Sequence, residues 1–337
     1  MNIFYILFSI RLPIKSLFFV LLSTMSFLVE AEFTVELGSN FYYTDDVGLF
    51  AASRSLSLNA DPTQPIVDRP GQGADFVYEP TALLEWSGKN ALGKINWSLN
   101  ADGYVFTEQS AFNHGIFISE LSQIFSTNTR VELGYHFIPD LYVGQNMFVQ
   151  NNAEQYDQDE IVTSQFWVVE LEQSLNNKLT ASLFGRYGLR NYNSPFEYRD
   201  SQFWTMGPKL NWIINTIAQL QLGYHYEIGI TPDSTTFNDN LSYVTSYTSA
   251  VLIIQILERL SSVLKFDYEN QNYTSNNIND EQYGLAEDVY QGELELLYKL
   301  TKLSTIKLGW QYGSRKLNSE QMSIQNNNIW LGFAYSL

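Results

Sequence analysis

The sequence predicts an all-β fold, a transmembrane antiparallel up-and-down β-barrel of about 14 strands, within a range of roughly 12 to 16. Three observations predict it. Aromatic residues make up 15% of the 337 and charged residues only 16%, whereas a soluble domain carries about 25% charged residues. Apolar and polar residues alternate with a period of two along many segments, which sorts them onto opposite faces of strands. Beyond residue 31, no apolar run approaches the roughly 20 residues that a membrane helix requires. The longest candidate, Ala250 to Leu257, is broken by Gln255 and followed by Glu258 and Arg259. A membrane-embedded chain of this kind must therefore cross as strands and close them, because lipid satisfies no backbone polar group.

The chain opens with a segment of different character. Arg11 and Lys15 precede an apolar run from Leu17 to Leu28, and Val29-Glu30-Ala31 places small residues where a signal peptidase reads them. A signal peptide over residues 1–31 is expected, with the barrel over 32–337. The chain contains no cysteine, so disulfide frameworks, thiolate metal sites and cysteine nucleophiles are excluded together. Its formal net charge of −17 argues against nucleic acid as a partner.

Alternation identifies the strands. Ile95, Trp97, Leu99 and Ala101 are apolar, while Lys94, Asn96, Ser98, Asn100 and Asp102 between them are polar. The same pattern sets Leu179, Ala181, Leu183, Tyr187 and Leu189 against Thr180, Ser182, Arg186 and Arg190, and Leu264, Phe266 and Tyr268 against Lys265, Asp267 and Glu269. Three segments repeat one another: VELGYHF from Val131, LQLGYHY from Leu220 and IKLGWQY from Ile306. Each puts apolar and aromatic side chains on one face, and Gly134, Gly223 or Gly309 on the other. These read as equivalent rising strands, within a series starting near residues 33, 91, 131, 179, 218, 262 and 304.

The connections are expected to alternate in length, as they do in outer-membrane barrels. Short ones fall near Gly88 to Asn90, Ser126 to Arg130, Asn176 to Lys178, Ile213 to Ile217, Leu257 to Leu260 and Lys299 to Leu303. Long polar ones fall at Thr44 to Ala74, Thr107 to His114, Pro139 to Ser164, Asn193 to Asp200, Thr231 to Leu241, Thr274 to Asp288 and Ser314 to Gln325. An even strand count returns both chain ends to the periplasmic side.

At the C-terminus Ile329, Leu331, Phe333, Tyr335 and Leu337 alternate with Trp330, Gly332, Ala334 and Ser336. This is similar to the terminal strand by which outer-membrane proteins are recognised by their assembly machinery, with Phe333, Tyr335 and Leu337 as the signal and Leu337 in place of the usual Phe. As a whole the chain resembles the outer-membrane β-barrel porins found in exopolysaccharide gene clusters. FYYTDDVGLF from Phe41, VYEPTALLEW from Val77 and the LGYHF-type strands carry the resemblance. It implies a role in the cell envelope of a Gram-negative bacterium, at the bacterial outer membrane, with outer-membrane lipid, lipopolysaccharide and the assembly machinery as partners. It brings no catalytic residue.

Candidate chemistry is sparse. His114, His136 and His225 are the only histidines, and His136 and His225 occupy the same position of the repeat, where Gln311 stands in the third copy. A repeated polar position in a barrel wall explains them better than catalysis, and no His-x-Ser spacing for a lipase-like hydrolase occurs. Glu154, Asp157, Asp159 and Glu160, like Asp280, Glu281, Glu287 and Asp288, lack the spacing of a calcium loop and read as solvated loop charge. No phosphate loop, dinucleotide fingerprint or zinc spacing appears, so no enzyme activity, cofactor or metal is expected.

The residues expected to line the lumen are the acids Asp102, Glu132, Glu170, Glu172, Glu227, Asp267, Glu269, Glu293 and Glu295, the bases Lys94, Arg186, Arg190, Lys209, Lys265 and Lys307, and the histidines His136 and His225. Trp86, Trp97, Trp204, Trp212 and Trp310 fall on the opposite, lipid-facing side and suit interfacial girdles. Fewer aromatics are expected inside, chiefly Tyr104, Phe184, Tyr192, Phe203 and Trp330. A barrel of this size implies passive or facilitated diffusion of small ions or polar solutes, and the acidic excess implies a preference for cations. The alternative is a non-conducting structural or partner-binding barrel serving polysaccharide export or secretion. The loops Thr44 to Ala74 and Pro139 to Ser164 are candidates to fold into the lumen. The oligomeric state is not readable from the sequence.

Overall fold

The computed structural model describes residues 31–337 except 49, 51–72, 126–127, 151–153, 232–239 and 281, with 146–150 and 154–157 described by backbone alone. The signal peptide expected over 1–31 lies outside the described residues apart from Ala31, which opens the first strand and faces Gly88 of the second.

Fourteen strands form one closed sheet. They are β1 (Ala31–Thr44), β2 (Asp75–Asn90), β3 (Gly93–Phe106), β4 (His114–Phe125), β5 (Thr129–Gln150), β6 (Glu154–Asn176), β7 (Leu179–Tyr192), β8 (Ser201–Ile213), β9 (Ala218–Ile230), β10 (Tyr243–Leu257), β11 (Leu260–Tyr273), β12 (Ala286–Lys299), β13 (Ser304–Leu317) and β14 (Ile324–Ser336). Every strand pairs antiparallel with its sequence neighbours, and β1 closes the ring against β14. Closure leaves no unpaired edge. Tyr42 sits opposite Trp330 and Glu36 opposite Ser336 across the seam.

Short turns gather at one rim, where β1 begins and β14 ends, and side chains hold them. Asn90 Oδ1 accepts from Leu92 N at 2.9 Å, Asn176 Oδ1 from Lys178 N at 2.8 Å, and Asn215 Oδ1 from Ile217 N at 2.9 Å. Thr301 Oγ1 accepts from the N–H groups of both Leu303 and Ser304 at 3.1 Å. Asx and threonine turns of this kind supply the acceptor that a tight hairpin otherwise lacks. The first turn also requires glycine: Gly93 has φ +135°, and a Cβ there would meet Ile124 O at 2.1 Å.

The sequence places this first turn a few residues early, since β2 runs to Asn90 and the turn is Ala91 and Leu92. A larger correction concerns Pro139 to Ser164, expected as a long loop. The backbone there is strand for most of its length, because β5 and β6 extend for 22 and 23 residues as one tall hairpin. Pro139 cannot donate to a ladder, but the pairing shifts register between Ile138 and Leu141 and again between Tyr142 and Gly144. These bulges pass the proline and let pairing resume. At the bulge, Thr163 Oγ1 accepts from Asp140 N at 3.2 Å.

The outer surface explains the low charge content. Leu37, Phe41, Trp204, Met206, Leu308, Trp310, Leu331 and Phe333 all point outward and are exposed. A continuous apolar surface of this extent has no place in water and matches the lipid-facing band of an outer-membrane barrel. Among the described residues, no helix is long and apolar enough to cross a membrane.

Candidate functional site

The inward face of this barrel is the candidate site. Alternation puts Lys94 and Asp102 of β3, Glu132 and His136 of β5, Glu170 and Glu172 of β6, Arg186 and Arg190 of β7, and Lys209 of β8 on that face. It also puts there His225 and Glu227 of β9, Lys265, Asp267 and Glu269 of β11, Glu293 and Glu295 of β12, and Lys307 of β13. Trp86, Trp97, Trp204, Trp212 and Trp310 have the opposite parity and face outward.

The charged side chains are joined across strands. Arg186 donates from Nη2 to Glu227 Oε2 at 3.1 Å and from Nε to Thr205 Oγ1 at 3.1 Å. Thr205 donates to the same carboxylate, Tyr243 donates to Glu227 Oε1 at 2.5 Å, and Arg190 Nη1 donates to Tyr243 Oη at 3.1 Å. All five side chains are buried, so each polar atom inside depends on these partners. Both guanidinium groups lie against the Phe203 ring, at 5.9 Å for Arg186 and 4.8 Å for Arg190, a favourable cation–π placement.

Lysine pairs are shorter in reach. Lys209 Nζ donates to Glu170 at 2.8 Å, and Lys265 Nζ to Glu293 Oε1 at 2.6 Å. The second carboxylate oxygen of Glu293 accepts from Gln311 Nε2 at 3.3 Å, and Gln311 in turn accepts from Asn328 Nδ2 at 2.8 Å. Trp330 Nε1 donates to Glu295 at 3.0 Å, Asn100 Nδ2 to Asp102 at 2.6 Å, and Tyr247 to Asp267. The wall is thus a mesh of amides, hydroxyls and paired charges.

The three histidines pack on inward aromatics: His114 stacks on Tyr104 at 4.6 Å and His225 on Tyr247 at 4.4 Å between ring centroids, and His136 lies tilted against Phe166 at 4.3 Å. That packing gives the repeated histidine a structural task. Among the described residues, no group of three or more histidines and carboxylates could hold a metal ion.

The half of the lumen away from the short turns is filled. Val47 and Phe50, at the start of the Thr44 to Ala74 connection, are fully buried and pack with Tyr42, Tyr104, Phe106 and Trp330 in one apolar cluster. Phe50 lies 5.4 Å from the Tyr42 ring and 5.9 Å from the Phe106 ring, both edge-on. Phe112 and Phe196, from two further connections, join the same cluster. Toward the short turns, inward residues such as Glu32, Thr34, Glu85 and Lys94 are exposed. Among the described residues the lumen is therefore a vestibule, with exposed inward side chains at the short-turn rim and buried ones toward the other.

Several members of this site were not readable from sequence. Arg199 donates from Nη1 to both oxygens of Glu160, at 2.8 and 2.6 Å. Glu160, expected as solvated loop charge, is instead fully buried and continues the even-numbered inward series of Val162, Ser164 and Phe166. Tyr42, Tyr243 and Tyr247 are inward too, so the inner wall holds more aromatic residues than alternation alone indicated.

No family model matches the chain, and no curated protein matches it. Solved structures do. The outer membrane channel DcaP of Acinetobacter baumannii superposes with a TM-score of 0.56 at 10% identity, over 91% of this chain and 97% of that one. OmpT of Vibrio cholerae in its trimer form gives 0.49 at 9% identity over 91% and 99%, and an anion-selective porin from Comamonas acidovorans 0.46 at 7% over 91% and 99%. The likeness to DcaP is one of fold, and this chain has the closed-barrel fold of the outer-membrane channels.

Proposed function

We propose that the protein is a porin-like diffusion channel of the bacterial outer membrane, passing small ions or polar solutes and preferring cations. The observation that carries the reading is the inward mesh of paired charges leading from an open vestibule. Mixed charges keep a lumen wet, and the acids named above outnumber the bases, so the field inside favours positive charge. Val47 and Phe50 narrow the path on the far side.

The test is conductance of refolded protein in a planar bilayer under asymmetric potassium chloride. Current with a cation-selective reversal potential is expected. An anion-selective reversal potential would reject the cation preference, and a complete absence of current would reject diffusion.

A second reading is favoured by the depth of the apolar closure: a non-conducting barrel that serves polysaccharide export or secretion, as the resemblance to barrels of exopolysaccharide gene clusters implies. It predicts no current and a partner that co-purifies.

A further inference from the structure

The vestibule wall contains a recess that the channel reading does not use. It has a volume of about 170 Å³ and is lined by Glu170, Glu172, Ser182, Phe184, Lys209 and Tyr247, with Ser249 at its edge. Its depth comes from Gly223 of β9, which faces inward between Lys209 and Ser249. A Cβ at Gly223 would meet Ser249 Oγ at 2.6 Å, so the hollow depends on the missing side chain. A cavity of about 150 Å³ admits a molecule the size of benzene, which sets the scale of an occupant.

Chemistry narrows the class. The Phe184 ring is covered by Lys209 Nζ at 4.6 Å and the Tyr247 ring by His225 at 4.4 Å. No aromatic platform is left for a sugar face. The polar lining is rich in acceptors instead. Lys209 is committed to Glu170, and Arg130, which faces Glu172 across the β5–β6 pairing, is committed to Glu132, itself opposite Glu170. Two bases against the three carboxylates of Glu132, Glu170 and Glu172 leave net negative charge at the recess, whose wall Glu172 lines, and the hydroxyls of Ser182 and Ser249 add acceptors. The described residues provide no cluster for a metal ion.

We propose that this recess binds a small organic cation bearing a primary ammonium group, held by Glu172 and the surrounding hydroxyls. The proposal rests on the channel reading for its biological sense, since it names the solute class that the vestibule would concentrate. Binding itself requires no current.

The experiment is calorimetry on the detergent-folded barrel with three probes of similar size: 1,4-diaminobutane, butane-1,4-diol and succinate. Saturable binding of the diamine alone is expected. Glu172→Gln should weaken it about tenfold, the equivalent of ~1.4 kcal/mol. Lys209→Met, which frees Glu170 to face the ligand, should tighten it. That opposite sign separates the site from a variant that merely folds poorly, and heat-modifiable gel migration confirms the barrel in each case. Equal binding of the diol or succinate, no diamine binding, or indifference to Glu172→Gln would overturn the proposal. Diamine binding without current would keep the site and reject the channel; current without diamine binding would do the reverse.

Discussion

Arg186 on β7 and Glu227 on β9 meet at 3.1 Å across the intervening strand, and both side chains are buried in the lumen wall. Charges withdrawn from water carry a desolvation cost that only a partner offsets. Thr205 and Tyr243 complete the shell of Glu227, and the rings of Phe166 and Phe203 cover Arg186. The cluster therefore ties β7, β8, β9 and β10 together at mid-wall.

Removing one charge should be far worse than removing all three, Arg190 included. Glu227→Gln or Arg186→Met is expected to destabilise the folded barrel by about 3 to 5 kcal/mol, because an uncompensated buried charge remains. The triple variant Arg186→Met, Arg190→Met and Glu227→Leu, which removes every charge of the cluster, should regain much of that loss. Urea unfolding of refolded protein, followed by tryptophan fluorescence, measures both. A triple variant no more stable than the singles would show that the network's bonds, and not the orphaned charge, set the cost.

The glycines of the repeated strands make a graded test. A Cβ at Gly309 would fall 2.0 Å from the Trp330 ring, one at Gly223 would fall 2.6 Å from Ser249 Oγ, and one at Gly134 only reaches contact with Val168 at 3.4 Å. Gly292, which faces outward, has nothing within 4 Å. Gly309→Ala should cost about 1 to 3 kcal/mol as an overpacked position, Gly223→Ala less, and Gly292→Ala almost nothing. Unfolding midpoints of the three variants check the order.

These glycines also mark the boundary of what sequence could reveal. Period-two alternation made the barrel legible, since one face of each strand must be apolar where it meets lipid, and Leu220, Leu222 and Tyr224 against Gln221 and Gly223 state that directly. Alternation assigns a face and nothing more. It cannot tell that Gly309 is hollow because Trp330 fills the space from the next strand, or that Arg186 skips β8 to reach Glu227. Pro139 misled for a physical reason: proline normally ends pairing, and only the bulges at Ile138 and Tyr142 let the ladder continue. The inward turn at Val47 and Phe50 was expected only as a candidate, because an apolar pair in a polar loop does not announce which surface it will cover.

Phe50 should govern the closure. Its ring packs against Tyr42, Tyr104 and Phe106, and apolar constrictions block ions by excluding water. Phe50→Ala is expected to raise single-channel conductance about twofold or more, since a hydrated gap replaces a dry contact. Phe50→Leu should stay close to the parent. Equal conductance in all three would locate the constriction elsewhere.

The last strand permits a test that separates assembly from stability. Phe333, Tyr335 and Leu337 face outward and exposed at the end of the chain, while Ala334 and Ser336 face Gly38 and Glu36 of β1 across the seam. Ser336 Oγ donates to Glu36 at 2.9 Å, and Leu337 N to Val35 O at 2.8 Å. The seam is thus held by backbone bonds and inward side chains, while the aromatics Phe333 and Tyr335 face outward. We propose that Phe333, Tyr335 and Leu337 are read by the outer-membrane assembly machinery. Phe333→Ala with Tyr335→Ala should lower the amount of folded barrel reaching the outer membrane of living cells several-fold. The same protein refolded in detergent should keep an unfolding midpoint within about 1 kcal/mol of the parent, as expected for exposed positions outside the packed wall. Ser336→Ala should do the opposite, loosening the seam slightly in detergent while leaving delivery to the membrane intact. If the aromatic variant loses stability and delivery together, these side chains belong to the fold, and the signal lies elsewhere in the chain.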